Sequence, residues 1–402
     1  MKKKIMIFCD FYLPGFKSGG GMWTVVNLVD RFSAQYDFSI VTRNYDSIGD
    51  TEPFTTVKTD EWNDIGNADV FYCSKETLTV EHANQLALEI MPDLVYLNSF
   101  FGKPQRNFLY ARKNRGFEGI PVVLAPCGEL PDASLSLMRF SLKPLKKWLY
   151  ITYAKSINLY RNIIWKASSN LEKNEISAVM GGNCDIEVAP DLVPKIILPE
   201  FSIDQKPQKE KGSVKFIFLS RIVPKKNLAF FLERLAAITE GKITFDIAGP
   251  HEDAVYWNDC LKWIARMPEN IHINIVGPVS YHEGLRLLTE SHFFILPTLN
   301  ENFGYVFIES LAAGCPLLIS DRTLWGGVEP ENAGWAVPLE SPSSWLDKMK
   351  YCIDMDDTEY RKMSSAARTY ANKWLAESKL EEDTARVLDK AFASSHRVNN
   401  DQ

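Results

Sequence analysis

The sequence contains no uncharged apolar run near the ~20 residues that a membrane-spanning helix needs, so any bilayer contact is expected to be peripheral. Its seven cysteines are scattered and form no Cys-x-x-Cys pair, which argues against the common zinc and dithiol arrangements. They read as small buried hydrophobes of a reducing compartment. The six histidines show no ligand spacing, and neither His-Glu-x-x-His nor Gly-x-Ser-x-Gly occurs, so nothing favours a metalloprotease or an esterase. No Gly-x-Gly-x-x-Gly follows a strand-like run, which disfavours a pyridine-nucleotide oxidoreductase. Positive charge is not in excess: the net charge of -6 comes from intermixed totals of both signs, which argues against general nucleic-acid binding. No self-similar period marks a repeat protein.

What is present fits an ordinary globular chain of 402 residues, long enough for two domains of roughly 100 to 200 residues each. The basic start resembles a signal peptide, but its apolar run breaks at Asp10; it reads as a first buried strand, and the expected location is cytoplasmic. Short apolar runs at Ile5 to Cys9, Phe38 to Thr42, Leu94 to Leu97 and Val122 to Ala125 alternate with amphipathic segments. The same grammar returns at Val214 to Leu219, Ile243 to Ala248, Ile271 to Val276, Phe293 to Pro297 and Pro316 to Ser320. Strands apolar on both faces are the mark of parallel sheets, so the fold class is α/β, two doubly wound Rossmann-like domains in series. The proline-rich, charged stretch 190–212 has linker composition. The predicted organisation is 1–192, 193–370 and a terminal helical segment 371–402.

Ligands of such sheets sit beyond the carboxyl ends of the strands. The stretch Glu301-Asn302-Phe303-Gly304-Tyr305-Val306-Phe307-Ile308-Glu309 follows one strand and opens a helix. Glu301 lies in the loop and Glu309 more than one turn inside the helix, so the two can address different parts of an elongated ligand. Gly304 permits close backbone approach, and the free N–H groups of a helix start favour an anion such as a diphosphate. The plainer reading makes Glu301 a turn acid and Glu309 a solvated helix residue. Ser220 to Asn227 brings Arg221, Lys225 and Lys226 to the end of another strand. A guanidinium and an ammonium there can stabilise the charge that develops on a departing phosphate; alternatively the loop only caps the following helix.

These two segments resemble the Glu-x7-Glu and Arg-x4-Lys elements of the retaining GT-B glycosyltransferases of family 4, the glycosyl transferases group 1. The resemblance runs over nearly the whole chain, is most specific from Lys215 to Asp321 and is weakest from Asp46 to Thr79. It implies two domains facing across a cleft, with the nucleotide-sugar donor on the second, the acceptor on the first, and a C-terminal helix returning to the first. Arg221 and Lys226 would bind the diphosphate, Glu301 the sugar hydroxyls and Glu309 the ribose. Asn302, Phe303, Tyr305 and Val306 would line the donor with Gly304. Asn227 stands where the family more usually has glycine, and Asn tolerates left-handed geometry. No metal cofactor is implied, and a UDP-sugar is favoured over a GDP-sugar. A retaining hexosyltransferase of cell-envelope polysaccharide synthesis is the expected enzyme, with a saccharide or lipid-linked acceptor. A GT-B epimerase, a phosphorylase-like enzyme and a non-catalytic nucleotide-binding subunit are the alternatives.

In the first half, the family places a Gly-Gly at Gly20 and Gly21, after the first strand. Many relatives carry a His where this chain has Asn98; an amide can bond a sugar hydroxyl but cannot act as a general base. Asn98 and Ser99 form either a plain turn or part of the acceptor site, and Glu129 either a turn acid or an acceptor contact. Gly249 and Gly277 each end a strand in a Gly-Pro turn, suited to a base or ribose and equally to an ordinary turn. The basic, aromatic stretch 139–161 either packs its apolar face on the domain or rests on the anionic cytoplasmic leaflet. Asp354-Met355-Asp356 spells Asp-x-Asp but sits between helices, away from any strand end, and reads as a surface turn.

Overall fold

Ile5, Met6, Ile7 and Phe8 are wholly buried in β1 (Lys3–Cys9), because this strand is covered on both faces and flanked on both edges. It pairs in parallel with β2 (Tyr36–Arg43) and β5 (Leu94–Asn98). The computed structural model describes residues 2–47, 49–115, 117–130, 142–194 and 205–398. Among these, the first sheet also contains β3 (Trp62–Ile65), β4 (Ala68–Cys73), β6 (Val122–Ala125), β7 (Ile163–Ala167) and β8 (Asp185–Val188). Its order is β3-β4-β2-β1-β5-β6-β7-β8, with only β3 antiparallel to its neighbour. The second sheet runs β11-β10-β9-β12-β13-β14, all parallel. Its strands are β9 (Ser213–Leu219), β10 (Lys242–Ala248), β11 (Ile271–Gly277), β12 (Phe293–Leu296), β13 (Leu317–Ser320) and β14 (Gly334–Val337).

The fold class is the expected one: two Rossmann-like, doubly wound sheets. One compact unit comprises Met1–Pro194 with Lys379–Gln402, the other Lys195–Ser378. The divisions fall at 194/195 and 378/379, where the sequence reading has 192/193 and 370/371. The helix Asp357–Glu377 stays with the second unit because it buries Tyr360, Met363, Ala367 and Ala371 there. The helix Leu380–Val398 packs on the first. Its Arg386 donates to the Val188 carbonyl at 2.9 Å, and Phe392 lies against Tyr36 with ring centroids 5.6 Å apart.

Strand order reverses direction at one place in each sheet. In the first unit this switch lies between β1 and β5; in the second, between β9 and β12. Loops leaving adjacent strands at such a point diverge to opposite faces and open a crevice between them.

Candidate functional site

The loop after β9 is fixed by its neighbour strand. Ser220 N donates to the Ala248 carbonyl at 3.0 Å and Ile222 N to that of Pro250 at 2.8 Å. Gly249 makes this approach feasible: at φ 135° a Cβ there would lie 2.0 Å from the Ser220 carbonyl oxygen. Pro224 then starts a 3-10 turn over Pro224–Lys226, with its fixed φ at the first turn position. Asn227 closes that turn in the left-handed region, φ 57° and ψ 34°, and begins the helix Leu228–Leu235. The asparagine standing in the usual glycine position thus adopts the conformation a glycine would supply.

The loop after β12 is bound to this turn. Leu299 N and Thr298 Oγ1 both donate to the Lys225 carbonyl, at 2.8 and 3.1 Å, and Ser320 Oγ donates to the Thr298 carbonyl at 2.6 Å. These contacts bring the Lys226 ammonium onto the Glu301 carboxylate, with both side chains nearly buried. Burial pushes the Glu301 carboxyl up, but the charges of Lys226, Lys225 and Arg221 outweigh it and hold it below its ordinary value. Arg221 is more exposed and donates from Nη1 to Glu252 Oε2 at 3.2 Å. Thus Arg221, Lys226 and Glu301, read separately from sequence, are placed together at the switch point.

Gly304, at φ 76°, precedes the helix Tyr305–Ala312; a Cβ there would meet the Phe307 ring at 2.5 Å and Glu301 Cγ at 2.9 Å. Phe303 and Tyr305 are buried, and Phe303 lies among Trp325 and Trp374 at ring-centroid distances of 6.0 and 5.8 Å. The Trp325 indole N–H donates to the Phe303 carbonyl at 2.8 Å, so this part of the motif is braced from behind. Asn302 and Val306, half-buried, flank it. Glu309 points into the protein rather than to solvent, and burial raises its carboxyl to about 7. Burial likewise raises the hydroxyl of Tyr281, and the charge of Glu309 adds to that rise. Gly277 takes φ 80° with open space around it, so it serves the turn by its backbone angle alone.

In the first unit, Gly20 and Gly21 open the helix Gly20–Phe32 at the β1/β5 switch. Asn98 is buried, and both ends of its amide are occupied: Nδ2 donates to the Gly21 carbonyl at 2.7 Å, and Oδ1 accepts from Cys127 Sγ at 3.3 Å. Glu129 Oε2 accepts from Ser99 Oγ at 2.9 Å and from the Phe100 and Phe101 N–H groups at 2.7 and 2.9 Å. Burial raises the Glu129 carboxyl despite these donors and Lys147. The structure therefore joins Gly21 to Asn98 and Ser99 to Glu129, as ties that shape the loops after β1, β5 and β6.

Thr298, Ser320 and Glu252 are not singled out by the sequence reading. Thr298 is wholly buried and offers only a hydroxyl to a motif search; its value lies in bonding Lys225, 73 residues away. Among the described residues, no group of three or more His, Cys, Asp or Glu is placed to hold a metal ion. Asp356 instead caps the helix Asp357–Glu377, accepting from Glu359 N at 2.9 Å. No helix of the described residues is long and apolar enough to cross a membrane.

Residues 200–374 match the profile of the family described as Glycosyl transferases group 1. The fold of the chain is that of GT-B glycosyltransferase structures. It superposes on sucrose-phosphate synthase from Thermosynechococcus elongatus with a TM-score of 0.71 and 15% identity, covering 98% of this chain and 100% of that one. It superposes on Anabaena Alr3699/HepE, solved in complex with UDP and glucose, with a TM-score of 0.65 and 16% identity, covering 96% and 100%. Among curated proteins it is similar to the O-antigen chain mannosyltransferase RfbU of Salmonella typhimurium, 22% identical over 179 residues. That match covers 43% of this chain and half of the relative's length.

Proposed function

We propose that this chain is a retaining glycosyltransferase that moves a hexosyl group from a nucleoside-diphosphate sugar, a UDP-sugar ahead of a GDP-sugar, to a saccharide or lipid-linked saccharide. The observation that carries the reading is the convergence of Arg221, Lys226 and Glu301 at the β9/β12 switch point, with Glu309 inside the adjoining helix. The two cations are suited to the diphosphate and supply charge stabilisation as it departs. Glu301, ionised beside them, accepts hydrogen bonds from sugar hydroxyls, and Glu309 accepts them from the ribose. As the bond from the anomeric carbon to the diphosphate oxygen breaks, the acceptor oxygen bonds that carbon on the same face. Its proton passes to the leaving diphosphate. The cations take the part that a metal plays elsewhere, so no metal cofactor belongs to this reading. UDP in the HepE complex supports the donor class, and the RfbU similarity supports a role in envelope polysaccharide synthesis.

The test is thermal unfolding of wild type and Arg221→Ala with UDP, GDP, ADP and CMP, each with and without EDTA. A ligand at about 100 times its dissociation constant adds roughly 2.7 kcal/mol. One diphosphate should raise the wild-type midpoint regardless of EDTA, and the rise should fall to about half or less in Arg221→Ala. No rise with any nucleotide would overturn the donor assignment. An inverted anomeric configuration in isolated product would overturn retention.

A further inference from the structure

The helix Leu142–Ser156 has two unlike sides. Ile151 and Ala154 are buried, Tyr150 bonds the hydroxyl of Tyr160 at 2.9 Å, and the Lys147 ammonium sits 4.4 Å from the centre of the Phe101 ring. This side attaches the helix to the first unit. The other side carries Leu145, Trp148, Leu149 and Tyr153, which are 40, 52, 52 and 56% exposed. Their spacing of three, four and eight residues puts them in one stripe along the helix. A helix that packed by its large apolar residues would show the reverse arrangement.

At about 100° per residue, Lys146 and Lys155 border the stripe on its two sides. Both are exposed, and Lys155 Nζ donates to the Val179 carbonyl at 3.0 Å. The surrounding sequence has an unusual charge pattern for this chain. Residues 133–171 contain seven Lys and Arg and no Asp or Glu, although the whole chain carries a net charge of -6. Apolar and aromatic side chains between flanking ammonium groups match an interface whose surface is anionic and whose interior is hydrocarbon. Lysine stems can lie along the apolar stripe while their heads reach phosphate groups.

We propose that this helix face is a docking surface for an anionic lipid bilayer, with Trp148 and Leu149 entering the headgroup boundary and Lys146 and Lys155 meeting lipid phosphates. The inference is independent of the donor chemistry, because every residue in it belongs to the first unit and none is assigned to nucleotide or sugar.

Flotation through a density gradient tests it, using the full chain with vesicles of phosphatidylcholine alone or mixed with phosphatidylglycerol. Wild type should float with the mixed vesicles and remain below with the zwitterionic ones, and raised salt should release it. Trp148→Glu/Leu149→Glu should reduce the floated fraction roughly tenfold or more while its melting midpoint without lipid stays that of wild type. Wild type that floats with neither vesicle, or a double variant that floats equally well, overturns the proposal. So does a double variant that melts far below wild type, since the stripe would then be packing against protein. A wild-type dimer in sedimentation that the double variant abolishes would assign the face to a second copy instead.

Discussion

The Lys226 ammonium bonds Glu301 Oε2 across 75 residues of sequence, joining the loops that leave β9 and β12. Both side chains are little exposed, so removing one partner strands the other's charge. Lys226→Ala should cost on the order of 3 kcal/mol, the usual scale for a broken, largely buried pair. Glu301→Gln should cost less, because its amide oxygen still accepts from the lysine. Urea unfolding of both single variants and the Lys226→Ala/Glu301→Gln combination gives the coupling; strictly additive losses would show that the pair contributes nothing of its own.

Arg221 should behave in the opposite way. Its contact with Glu252 is a half-exposed ion pair, worth ~0–1 kcal/mol. Arg221→Ala should therefore leave unliganded stability nearly unchanged while weakening nucleoside-diphosphate binding by roughly ten- to a hundredfold, the loss of a charge-assisted contact. Calorimetric titration measures the second effect and urea unfolding the first. A variant that loses stability and keeps affinity would reassign Arg221 to the scaffold.

Glu309 gives a pH signature. Burial raises its carboxyl from 4.5 to about 7, so between those values the unfolded chain ionises while the folded one keeps its proton. Its contribution to stability therefore falls as pH rises through that window and levels off above about 7, a change on the order of 3 kcal/mol. Glu309→Gln should be more stable than wild type above about pH 7 and should lose that advantage toward pH 4.5. Nucleotide binding that needs the ionised carboxylate should tighten through the same window in wild type only. Parallel stability curves for the two proteins would contradict the assignment.

The two strand-ending glycines should respond unequally. Gly249→Ala drives a methyl into the Ser220 carbonyl at a backbone angle that side chains avoid, so the β9 and β10 ends must separate. Gly277→Ala meets no atom within 4 Å and suffers only the positive φ, about 1–2 kcal/mol. Chemical unfolding should rank Gly249→Ala as clearly the more damaging. Equal losses would mean that the backbone approach at Ser220 yields easily.

Most of the buried strands are readable because burial on both faces writes an unbroken apolar run, as in Ile5 to Cys9 and Val122 to Ala125. β3, β4, β7, β8 and β14 are absent from that reading; in β7 the buried Lys166, paired with Asp191 at 2.7 Å, interrupts the apolar run. β3 is an antiparallel edge strand, Trp62–Ile65 carries two polar residues, and Asp185–Val188 is never fully buried. The motif residues at the second switch point were legible as chemical types at strand ends. What they touch was not, since Lys226 finds Glu301 only through the order of the sheet. Asn98 shows the limit more sharply: its residue type offers an amide to a sugar, while its position uses that amide between Gly21 and Cys127. For the helix Leu142–Ser156, periodicity revealed an apolar face, and only the packed structure showed which face points outward.

The attachment of the helix Leu380–Val398 to the first unit has a consequence for the order of synthesis. Leu388 and Ala391 are fully buried there, and Lys3 lies 4.1 Å from the centre of the Phe392 ring. The first unit, whose sheet is covered in part by this helix, can thus be completed only after the ribosome has made the whole of Lys195–Ser378. During translation the first unit must wait, partly uncovered, while the second is able to fold as one continuous stretch. A fragment cut at Pro194 would keep that uncovered surface for good.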